Sequence, residues 1–250
     1  MKLDFIIDNA TFIAHTLAGM NSFSSDDGRS DVVAFQNYAW EVSSGLYNVL
    51  AKPIYAEKLI VDYGSLLSYW KNFDWNELEE YMMKLEKSQV YKTIYSQTQE
   101  YLSFCSMQWN NNYRVTSRLI HDLTGLPLRD KFTIYITHPC QRNGTSYGNM
   151  KIGWGHKEEW PNYTTIYLWH EILHQYLGSD DIEHAIIQLV ADEELRVRLN
   201  GGSYPPFVGH EYLVPVMEKI LPEWKDYKKR GSRDIQKFIL QVKEALHNKY

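Results

Sequence analysis

The sequence predicts an α+β protein, mostly α, in which helical N- and C-terminal parts surround a small core with a short β-sheet and one histidine-bearing helix. Three observations predict it. Apolar residues recur at helical spacing from Asp31 to about Leu126. Two short stretches beyond Leu126 are rich in β-branched and aromatic residues and read as strands. The segment Thr164–Gly178, TTIYLWHEILHQYLG, holds a single charge, Glu171, between His170 and His174.

Taken in order, the opening MKLDFIIDNATFIAHTLAGM has its apolar residues interrupted by Asp4, Asp8 and His15, unlike the unbroken apolar stretch of a signal peptide. The Ser/Asp-rich segment Asn21–Asp31 reads as a loop ending in a helix cap. DVVAFQNYAWEVSSGLYNVLA, AEKLIVDYGSLLSYWKNF and, behind an Asp74 cap, DWNELEEYMMKLEK follow as helical stretches. Residues 89–125 form one long helix or two, closed by Gly125 with Pro127 just beyond. Residues 1–128 are thus a mainly helical N-terminal region.

The core spans residues 129–202. Lys131–His138 alternates as a strand, and Met150–Gly155 is a second short strand expected to pair with it. Between them PCQRNGTSYGN, with Asn143 and Gly144, reads as a turn-rich link. The next helix begins near Thr164 or Thr165, either of which serves as a cap, and ends at Gly178. The SDD that follows caps IEHAIIQLVADEELRVRLN, which Gly201 and Gly202 stop. Residues 203–250 read as C-terminal helices separated by Pro and Gly. The three parts suit one compact unit.

A hydrophobic content of 44% and a charged content of 23% are those of an ordinary globular chain. The net charge of −5 gives no electrostatic footprint for nucleic acid or an anionic membrane, and no window has the apolar length of a membrane span. Cys105 and Cys140 stand outside any CxxC pair, which argues against a cysteine-based metal site and for two reduced thiols in a cytoplasmic protein.

His170-Glu171-Ile172-Leu173-His174 is an HExxH pattern. Histidines four apart project from one helix face and reach a single metal at roughly 2.0–2.1 Å. Glu171, one residue round, is placed to take a proton from a water that zinc activates. Chance predicts roughly 0.02 such matches in this composition. With its charge-free surroundings, the motif resembles that of the zincin metallopeptidases over about Lys131–Asn200. The resemblance implies one Zn2+ ion, a peptide or protein substrate, and an edge strand that pairs with substrate backbone, for which Met150–Gly155 is the candidate.

A third ligand is required. The metzincin spacing fits poorly, because Gly178 falls one residue late and Asp180 stands in the ligand position. The gluzincin spacing points to Glu193 or Glu194. The short turn Gly178–Asp181 instead makes a tight helical hairpin that sets His184 level with His174, with Glu183 and Asp181 as further alternatives. His184, Gln188 and Asp192 form one polar stripe on an otherwise apolar helix, so His184 is expected to bind metal, with Gln188 or Asp192 bonded to a ligand imidazole. For the oxyanion, YPPFVGHEYL offers Tyr204, His210 and Tyr212, of which His210 is preferred; His156 and Tyr147 are runners-up. Arg196 and Arg198 read as helix-end charges.

The expectation is a cytoplasmic zinc metallopeptidase. Its metal ligands would be His170, His174 and His184; Glu171 would be general base and His210 a catalytic donor. The alternatives are a zinc-binding hydrolase of another bond, a regulatory or interaction module on a zincin-like core, and a metal-free helical protein.

Overall fold

A computed structural model describes residues 1–18, 26–55, 63–70, 73–231 and 233–247. It is mostly helical, with one four-stranded sheet: β1 (Lys2–Ile6), β2 (Lys131–Ile136), β3 (Asn143–Ser146) and β4 (Lys151–Gly155). The order is β1-β2-β4-β3, parallel except for antiparallel β3. Lys2 pairs with Lys131, Thr133 with Lys151, and Asn143 with Gly155. β2 and β4 lie inside the sheet, and Phe132, Ile134, Ile136, Ile152 and Trp154 are buried. The two strands expected to pair do so.

Two corrections follow from this topology. β1 comes from the N-terminal region read as helical, so the sheet draws on both ends of the proposed 1–128 and 129–202 division. β4, expected to be the edge strand, is internal; the edge is β3, formed by the segment read as a turn-rich link.

The helical regions are α1 (Asn9–Ala18), α2 (Arg29–Val42), α3 (Ser44–Tyr55), α4 (Tyr63–Tyr69), α5 (Trp75–Lys87) and α6 (Gln89–Thr124). The first long helical stretch is broken at Ser43, whose backbone is extended. Asp74 caps α5 through the amides of Asn76 and Glu77. α6 is one helix of 36 residues, closed by Gly125 with φ 72°. Residues 21–25 of the expected loop, and 56–62 and 71–72 of the second helical stretch, lie outside the described residues.

Two apolar cores share α6. Tyr91 and Ile94 join α1, α2, α3 and α5 in one. Tyr101, Cys105, Trp109, Ile120 and Leu123 join the sheet and the later helices in the other. That second core includes α7 (Tyr163–Leu177), α8 (Asp181–Gln188), α10 (Val214–Arg230) and α11 (Ile235–His247). The C-terminal helices therefore complete the core of the site-bearing part. Both cysteines are buried, and no disulfide joins them.

His15 on α1 is buried, its Nδ1 has no hydrogen-bond partner among the described residues, and burial lowers its pKa to about 4. The fold holds the ring neutral, whereas the unfolded chain protonates it below about 6.5. This contribution to stability is whole above that value and shrinks as pH falls toward 4, by about 1.4 kcal/mol per unit. Urea midpoints from pH 7 to 4.5 are expected to fall less steeply in His15→Leu than in the parent; equal slopes would contradict the assignment.

Candidate metal centre

The HExxH segment lies on α7, which packs on α6. Trp169 Nε1 donates to Thr116 Oγ1 at 2.9 Å, and its ring lies 5.1 Å from that of Trp109. Ile166, Leu168, Trp169, Ile172 and Leu173 are fully buried, each contributing about 1.5–3 kcal/mol. Neither Thr164 nor Thr165 caps this helix. Asn162, in the left-handed region at φ 62°, occupies that position, and its side chain ties α7 to Asn112 and Asn200. Thr165 is bonded to Gln108 instead.

At the other end, Gly178 turns the chain with φ 93°. A Cβ there would sit 2.1 Å from Glu183 Oε2, so the turn requires glycine. Asp180 then caps α8 in a capping box with Glu183. α8 runs into a π-helical stretch, Leu189–Leu195, and then α9 (Arg196–Asn200). All seven π-helical residues are buried, and π turns often accompany functional sites.

This hairpin brings the histidines together. His170 Nε2 lies 3.1 Å from His184 Nε2 and 3.2 Å from His174 Nε2. His210 arrives on the following loop, its ring 4.8 Å from that of His184. Ring nitrogens of His170, His184 and His210 all lie within 4.8 Å of one another, the one group with a metal-site donor set among the described residues.

The outer ring nitrogens decide what the inner ones can do. His170 Nδ1 donates to Asp192 Oδ2 at 2.9 Å, and His174 Nδ1 donates to the Gly178 carbonyl at 2.9 Å. Both acceptors are fixed, so either ring when neutral turns an unprotonated Nε2 inward, and the raised pKa of His170 lets a proton on its Nε2 bridge the pair where no metal does. Two lone pairs 3.2 Å apart repel unless a cation stands between them. Nitrogens that share one metal ion stand at about this spacing, so these donors suit a metal ion.

Burial and then the neighbouring imidazoles lower His174 to about 4 and His184 to about 3, favouring the neutral, ligating form. Burial and then His170 also lower His210. Burial works against charge on His170 too, but the Asp192 carboxylate outweighs it and raises its pKa. Asp192 is thus the residue of the polar stripe that meets an imidazole. Gln188 bonds the Val208 carbonyl instead.

Glu171 is half-buried beside β3. Its Oε1 would lie 3.4 Å from a Cβ at Gly144, and the Ser146 amide favours its charged form. Burial dominates and pushes its pKa up to about 7. A cleft of about 660 Å³ joins these groups, lined by Gly144, Thr145 and Ser146 on one side and by His170, Glu171, His174, His184, His210 and Tyr212 on the other.

The remaining candidates lie elsewhere. Glu193 accepts from Arg196 and the Val208 amide, while Glu194 pairs with Arg198 and Lys228. Glu183 is held by Lys243 and the Asp180 amide, and Asp181 is an exposed first residue of α8. Tyr204 donates to Glu194, and His156 pairs with Glu158. Tyr147 packs near Gly153 rather than lining the cleft. Two contributors escaped the sequence reading: the Gly178 carbonyl, a backbone atom, and β3, whose Asn-Gly pair reads as a turn.

No membrane-length apolar helix occurs among the described residues. No family model, curated protein or solved structure matches this chain.

Proposed function

We propose that the chain is a zinc-dependent peptidase in which His170, His174 and His184 hold the ion. The observation that carries this reading is the convergence of three Nε2 atoms, two of them with tautomers fixed by Asp192 and the Gly178 carbonyl. A bound zinc would polarise a scissile carbonyl and lower the pKa of water. Glu171, with a pKa near 7 and an outlook onto the cleft, accepts a proton and later returns it to the leaving amine. The β3 edge along the same cleft suits an extended peptide, whose backbone it can pair.

The test is zinc content of the purified protein together with cleavage of a random peptide library. One zinc per chain is expected, with cleavage lost on chelation and restored by added zinc. Cleavage that survives complete removal of metal would overturn the reading. Asp192→Ala is expected to weaken zinc about 10- to 100-fold in a competition titration with a chelating dye. Unchanged affinity would show that the carboxylate does not orient His170.

A second reading, a regulatory or interaction module with a permanently saturated metal, draws on the nearness of His210. It differs in requiring no cleavage at all.

A further inference from the structure

The loop from Gly201 to His210 passes over the π-helical stretch and is fastened there. Gln188 Nε2 donates to the Val208 carbonyl at 3.2 Å, and the Val208 amide donates to Glu193. At Gly209, φ is 91°, and a Cβ would come within 1.9 Å of Gln188 Nε2 and 3.0 Å of Asp192 Oδ2. These contacts press the backbone against the residue that orients His170. Immediately after them, the His210 carbonyl accepts from the Leu213 amide at 3.0 Å, and Leu213 is fully buried. The backbone on both sides of His210 is therefore anchored.

Its side chain is not. Among the described residues neither ring nitrogen of His210 has a hydrogen-bond partner; the ring meets only His170, His184 and Tyr212 edge-on or tilted. His210 is exposed, whereas His170 is buried and His174 and His184 are half-buried. The anchored backbone delivers an uncommitted imidazole to the cluster, and rotation of one side chain withdraws it.

We propose that His210 is a displaceable fourth ligand, which closes the metal's remaining position at rest and swings aside when an oxygen donor enters the cleft. This rests on the metal centre proposed above. It replaces the oxyanion role expected from sequence, because that role needs the ring beside an open position rather than within reach of the His170 and His184 nitrogens. The gate is local: once the ring leaves the metal, rotation of one exposed side chain withdraws it, with no loop opening required. It lowers affinity for any incoming donor by the fraction of time the position is open.

The experiment uses the whole chain loaded with Co2+, a spectroscopic stand-in for zinc, and acetohydroxamate as the entering oxygen donor. X-ray absorption counts the coordinated imidazoles, and the visible bands follow hydroxamate binding. The parent protein is expected to show four imidazoles at rest and three when saturated with hydroxamate. His210→Ala should show three throughout and bind hydroxamate about tenfold more tightly, as follows if the parent is open about a tenth of the time. Three imidazoles in the resting parent, with equal hydroxamate affinity in both proteins, would overturn the proposal. So would four imidazoles retained at saturation, which marks a permanent ligand. A parent that takes up neither cobalt nor zinc removes the metal centre itself, a failure separable from that of the gate.

Discussion

Glu171→Gln is expected to lower peptide cleavage by about 10²–10⁴-fold while zinc remains bound at one ion per chain. The substitution keeps the size of the side chain and removes only its capacity to take a proton. Glu171 follows His170 directly and lines the cleft with the histidines. Its environment supports the proton role: burial raises the pKa to about 7, so the carboxylate accepts and releases a proton near neutrality. Removing the charge also relieves the desolvation of a half-buried carboxylate, so the variant should be at least as stable as the parent. Zinc analysis, cleavage rate and melting temperature together make the test. Full cleavage by Glu171→Gln would remove the residue from the mechanism.

The second large effect is loss of metal. His170→Ala is expected to abolish stoichiometric zinc, because His170 Nε2 is the atom that both other Nε2 groups face. It carries a separate cost. Asp192 is buried, and its Oδ1 already has no hydrogen-bond partner among the described residues. Without the imidazole the carboxylate also loses its bond through Oδ2, and breaking such a buried pair costs about 3–5 kcal/mol. His174→Ala separates the two effects. That ring is half-buried and its Nδ1 bonds a backbone carbonyl, that of Gly178, so zinc should be lost with a smaller fall in melting temperature. Stoichiometric zinc in both variants would refute the centre.

Much of this arrangement is legible in the chain because it is local. An apolar period, an Asp cap and a terminal glycine are each written within a few residues, and α5, α6 and α7 follow them closely. The placement of His184 is nearly as local, since a turn of a few residues fixes which positions of two antiparallel helices stand level. Long-range features are written nowhere in particular. β1 has a mixed burial pattern and acquires its identity from β2, far along the chain. β3 is four residues, Asn-Gly-Thr-Ser, with turn chemistry; only its place beside β4 makes it a strand. For the same reason β4 reads as an edge until a neighbour appears on each side. His210 shows the limit for a site residue: sequence marks a histidine after a glycine, but its distance from His184 depends on how the loop is pinned to the π-helical stretch.

The pairing of β1 with β2 also governs the order in which the molecule can be finished. Lys2 leaves the ribosome long before Lys131, its partner in the parallel ladder. Until then the first strand has no sheet to join, and contacts this distant in sequence slow folding. The helices of the first core can assemble in the interval, around the early turns of α6. The sheet beside the candidate metal centre is completed only when this strand pairs with β2, so residues 2–6 join it late.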